Sequence, residues 1–62
     1  MTFEEILNLI QDLARSQGFY GRLYESIMTL KDKAPDLYEE LRTNLETHKF
    51  VDAVDFITFI EG

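Results

Sequence analysis

Phe3, Ile6, Leu7, Ile10, Leu13 and Ala14 recur at steps of three and four, which aligns them along one side of an α-helix. Leu9 widens that face, while Glu4, Asn8, Gln11, Asp12 and Arg15 remain outside it. Thr2-Phe3-Glu4-Glu5 closes the start as a capping box: the Thr2 hydroxyl can accept from the Glu5 amide, and the Glu5 carboxylate can reach back. The early acids and the late Arg15 also suit the helix dipole. The predicted first helix covers residues 2–16. Its apolar side needs a cover from elsewhere in the chain.

Ser16-Gln17-Gly18 ends this helix, with Gly18 suited to a left-handed cap. A second helix is predicted over residues 19–32, and it carries two apolar stripes. Phe19, Leu23, Ile27 and Leu30 form the stripe expected to meet the core, and Tyr20, Tyr24 and Met28 form another, about 100° further round. Gly21 lacks a side chain near the helix start, which lets the first helix approach at a propensity cost of about 1 kcal/mol. One stripe suffices for a core. The other has the composition of an interface hot spot, with tyrosines that offer broad contact area and a polar tip beside Arg22. Tyr20, Arg22, Tyr24 and Met28 are therefore the candidate partner-binding residues, for a protein target or a second copy in a homodimer. The competing reading is a central second helix that buries both stripes.

Lys31-Asp32-Lys33-Ala34-Pro35 marks a boundary, because proline suits the first turn of a helix and disfavours helical geometry in its predecessor. A third helix is predicted over residues 35–47, burying Leu37, Leu41 and Leu45 with Tyr38 and Ala34 at the margin. After the connector Thr47-His48-Lys49-Phe50, Asp52 and Asp55 form a second capping signal, with Val51 and Phe56 at the positions of a hydrophobic staple. A short fourth helix over residues 53–60 follows, although the β-branched and aromatic content of 50–61 leaves a strand open. The expected fold is all-α, a small bundle of three helices plus a short C-terminal fourth, in a single domain 1–62.

Composition narrows the function. An apolar fraction of 45% is too high for a disordered chain. With no cysteine and one histidine, His48, the chain has neither a disulfide nor a zinc ligand set. No nucleophile stands beside a recognisable base, and no glycine-rich phosphate loop occurs, so the expectation is a non-enzyme without cofactor, metal or small-molecule substrate. No apolar run approaches a membrane span. The net charge of −6 is uneven: residues 1–33 carry −1 and residues 34–62 carry −5. That sign opposes general nucleic-acid binding. A helix-turn-helix reading nevertheless places Arg15, Gln17, Arg22 and Ser26 toward phosphates or bases, around a glycine turn. Gln17 stands where that motif usually has an apolar residue, and Gly21 weakens the would-be recognition helix.

The run Ala14-Arg15-Ser16-Gln17-Gly18-Phe19-Tyr20-Gly21-Arg22-Leu23, with the closing Asp52-Ala53-Val54-Asp55-Phe56-Ile57, resembles small uncharacterised proteins of bacteriophages and prophages. The likeness covers both ends of the chain and leaves out residues 31–49. It implies a short phage accessory gene and a place in the cytoplasm of a bacterial host, and it brings no catalytic residues. By analogy with small acidic phage proteins, it also implies a module that inhibits or modulates a host protein by contact.

Overall fold

The computed structural model describes all 62 residues as four α-helices with no strand: α1 (Phe3–Ala14), α2 (Gly18–Lys33), α3 (Pro35–His48) and α4 (Ala53–Glu61). The segment that allowed either helix or strand is helical. Its start is fixed by Asp52, whose Oδ1 accepts from the Asp55 amide at 2.9 Å. The shorter Asp55 carboxylate reaches back one residue further than a glutamate would need to, and Oδ2 accepts from the Val51 amide at 3.0 Å. At the other end of the chain the capping box of α1 is complete. Thr2 Oγ1 accepts from the Glu5 amide at 3.2 Å, and the Thr2 amide donates to Glu5 Oε1 at 2.9 Å. The bond from the Thr2 backbone, more than that from its side chain, holds the Glu5 carboxyl below its ordinary value.

The turn between α1 and α2 does not use Gly18 as expected. No glycine has a positive φ, and Gly18 is instead the first residue of α2. Arg15 stays right-handed at φ −68°, ψ −26°, and its amide turns in to the carbonyls of Asp12 and Leu13. Gln17 then adopts an extended conformation at φ −133°, ψ 116° and redirects the chain. One extended residue accomplishes the reversal, so no left-handed residue is needed. The left-handed position lies elsewhere, at Lys49 (φ 56°, ψ 60°), where it ends α3 and turns Phe50 inward.

Seven side chains are buried: Phe3, Ile6 and Ile10 from α1, Tyr20 and Ile27 from α2, Phe50 from the last connector and Phe56 from α4. α1 and α2 pack together, α3 lies against both, and the backbone of α4 approaches that of α1, with side-chain contacts to α2 and α3. Close approach of α1 and α2 is visible at Gly21, where a Cβ would lie 3.9 Å from the Cβ of Ala14. α3 has no fully buried residue and covers the core with the half-buried Tyr38, Leu41 and Leu45. Leu37, expected inside, is 54% exposed. Tyr38 takes its place because its ring meets Phe3 edge-on at 5.6 Å. The staple is likewise displaced by one residue. Val51 is 83% exposed, and Phe50 packs edge-on against Phe56 at 5.2 Å.

These local geometries fix three stability outcomes. Asp52→Ala is expected to lose about 0.5–2 kcal/mol with its cap. Gly18→Ala should gain up to roughly 1 kcal/mol, since the new methyl group meets nothing within 4 Å and restricts the unfolded chain. Lys49→Val should cost at least about 1 kcal/mol, because a β-branched residue resists the left-handed region, while Lys49→Gly should be neutral or stabilising. Urea denaturation of the four variants measures all of these.

Candidate interaction surface

α2 carries all four residues assigned to a partner, and its orientation decides which of them are available. The helix faces the core along a line between the two predicted stripes. Tyr20 and Ile27, seven residues or about two turns apart, define that line and are both buried. Leu23 flanks them on one side, Tyr24 and Met28 on the other, and all three pack half-buried against the core. Phe19 falls outside the line and is 53% exposed, whereas Tyr20 is 1% exposed. The expectation for these two neighbours is therefore reversed. Tyr20 leaves the partner-binding set for the core, Tyr24 and Met28 give most of their surface to that core, and Arg22 alone is fully outside.

Burial of Tyr20 depends on a partner far along the chain. Its hydroxyl donates to Glu61 Oε1 at 3.2 Å, near the end of α4, so the phenol enters the core without an orphaned polar atom. The rings of Phe19 and Tyr20 meet edge-on at 5.2 Å, which holds Phe19 at the rim rather than free in solvent.

Two shallow depressions run along the outer side of α2. One, of about 390 Å³, is lined by Phe19, Arg22, Leu23 and Ser26. The next, of about 490 Å³, extends through Arg22, Glu25, Ser26, Thr29 and Leu30 to Lys33 and Ala34. Arg22 and Ser26 border both, so the two form one strip along most of the helix. Sequence reasoning missed Phe19 and Leu30 as surface residues, having assigned both to the core stripe. No local signal separated the two possible inward lines, because Leu23 and Leu30 stand seven apart just as Tyr20 and Ile27 do.

The strip differs from the hollow between α1 and α3, about 540 Å³, where the cations are engaged within the chain. There Lys31 Nζ sits 5.8 Å from the centre of the Tyr38 ring, and Arg42 Nε bonds Glu46 Oε1 at 2.9 Å. Arg42–Glu46 is the only ion pair in the structure, so Arg22 and Glu25 stand in the strip without salt-bridge partners. The His48 ring lies tilted against Phe50 and Phe59 at centroid distances of 4.4 and 4.6 Å, an exposed edge on the buried Phe50 at the far end of α3. No three acidic or histidine side chains gather where they could hold a metal ion, and no helix is long and apolar enough to cross a membrane. No protein-family model, curated protein or solved structure matches the chain.

The Tyr20–Glu61 contact has a pH signature. Burial, reinforced by the nearby Glu61 charge and by their hydrogen bond, raises the Tyr20 phenol above its ordinary value. The folded state thus favours the neutral phenol. Its contribution to stability is complete below the unfolded value of about 10 and is lost as pH rises through the higher folded value. Tyr20→Phe is expected to cost about 0.5–1.5 kcal/mol at neutral pH through the lost hydrogen bond. It should also flatten the alkaline decline, so that the gap to the unmodified protein closes above about pH 10. Urea midpoints measured from neutral to strongly alkaline pH follow both effects.

Proposed function

We propose that this chain is a protein-interaction module, a phage-type accessory protein that modulates a host protein by contact, with the outer strip of α2 as its contact surface. The observation that carries this reading is Phe19: a large aromatic side chain half exposed beside Arg22, whose charge has no partner within the chain. Aromatic and arginine side chains together are the usual anchors of protein interfaces. Leu23 and Ser26 extend the surface with an apolar wall and a small residue against which a partner can approach. The strip holds no nucleophile–base pair, which favours contact over catalysis. The sequence resemblance to small phage proteins supports the accessory role and the bacterial setting.

A helix-turn-helix regulator is the second reading, favoured by the exposure of Arg15, Gln17, Arg22 and Ser26 around the same turn. Glu25 in the strip and the net charge of −6 oppose it. Two measurements separate the readings. In pull-downs from a bacterial host lysate, Phe19→Ala and Arg22→Ala should each lose a partner that the unmodified protein retains, with thermal midpoints little changed. Fluorescence anisotropy with duplex DNA should show no binding. Affinity that requires Arg15 and Arg22 and falls at least tenfold between about 50 and 200 mM salt would establish the DNA reading instead.

A further inference from the structure

The proposal that the α2 strip is an interface rests on its exposure and composition, and the order of residues along it specifies an occupant. We infer that a second copy of this chain docks there when no host partner occupies it, its α2 antiparallel to the first about a two-fold axis, so that dimer and host complex compete for one surface. Phe19, Leu23, Ser26 and Leu30 follow at steps of four, three and four, the spacing of a two-helix seam. Phe19 and Leu30 have the same midpoint in sequence as Leu23 and Ser26, between Tyr24 and Glu25. A two-fold axis through that midpoint sets Phe19 level with the second copy's Leu30 and Leu23 level with its Ser26, each pair occurring twice. Large therefore meets small, and apolar meets apolar.

Charge follows the same symmetry. Arg22 and the second copy's Glu25 are offset by two residues in this register, about 3 Å along the axis at about 1.5 Å per residue. Both are exposed, border the same depression and lack an ion pair within their own chain. The antiparallel pair brings the two charges onto the same flank, Glu25 about 60° further from the seam than Arg22, so that an extended Arg22 side chain spans to the second copy's Glu25, reciprocally. Leu30 is half-buried and borders the strip, so its exposed remainder faces the second copy. A net −5 of the chain's −6 charge falls in residues 34–62, outside α2, which limits repulsion along the seam. An isologous contact of this kind closes on itself and yields a dimer rather than a filament.

Sedimentation equilibrium from micromolar to millimolar concentration tests the inference. The unmodified protein should dimerise reversibly. Arg22→Glu and Glu25→Arg should each weaken the dimer at least about tenfold, by setting like charges opposite one another at two symmetric places. The double variant Arg22→Glu with Glu25→Arg should restore the affinity to near the original, with all three retaining the helical circular dichroism of the parent. A covalent reading is also available, because the chain has no cysteine of its own. Mixed Leu23→Cys and Ser26→Cys chains should form more disulfide-linked heterodimer than either variant forms alone. A protein that stays monomeric throughout, or a double variant no better than the single ones, overturns the inference. Monomeric protein whose captured host partner is still lost on Phe19→Ala would overturn the second copy alone and leave the interaction surface standing. Capture indifferent to Phe19 and Arg22 would sink the functional reading itself, whatever the oligomeric state.

Discussion

The Tyr20 hydroxyl donates to Glu61 across 41 residues of sequence, and much of the architecture depends on that bond. A phenol with no acceptor is costly to bury. With Glu61 in place the whole ring enters the core, α2 rotates Tyr20 and Ile27 inward, and Phe19 is turned to the rim. The same contact ties α4 to α2, a helix against which its backbone does not otherwise pack. Packing of Tyr20 and Ile27 into the apolar cluster turns α2 this way, and the hydrogen bond lets the phenol take part without an unsatisfied hydroxyl.

Phe50 is the second organising residue. The left-handed Lys49 ends α3 abruptly, and the next side chain is buried against α4 rather than continuing along the surface. Phe50 meets Phe56, Phe59 and His48 at centroid distances of 5.2, 5.2 and 4.4 Å, and its carbonyl accepts from the Met1 amine. A connector residue therefore serves as a core residue. This suits a chain of 62 residues, in which four short helices alone supply little apolar surface to bury.

The sequence was most legible where a signal is local. Thr2 with Glu5, Asp52 with Asp55, and Pro35 each set a helix boundary through groups only a few residues apart, and all three boundaries fall within about a residue of expectation. What sequence could not convey was rotation. Phe19 for Tyr20, Leu37 for Tyr38 and Val51 for Phe50 are displacements of a single residue, about 100° round a helix. An apolar arc that wide has several equivalent inward directions, and the choice among them falls to distant partners: Glu61 for Tyr20, Phe3 for Tyr38, Phe56 for Phe50. Gly18 misled for a related reason, since a short turn can reverse the chain through one extended residue as readily as through a left-handed one. Of the partner residues read from sequence, Arg22 kept its exposed place because nothing in the core could satisfy its charge.

α4 is nine residues long, and its backbone comes close to that of α1 only. A detached helix of that length does not persist in water, because the cost of its first turn is spread over too few hydrogen bonds. When α4 lifts away it must therefore melt, withdrawing Phe56 from the core and the carboxylate from Tyr20 in the same event. Opening at the end of the chain consequently reaches the first turn of α2 in one step. α4 therefore cannot open without disturbing the buried end of α2, and amide exchange in α4 is coupled to exchange in the first turn of α2 while the rest of α2 stays packed on α1 and α3.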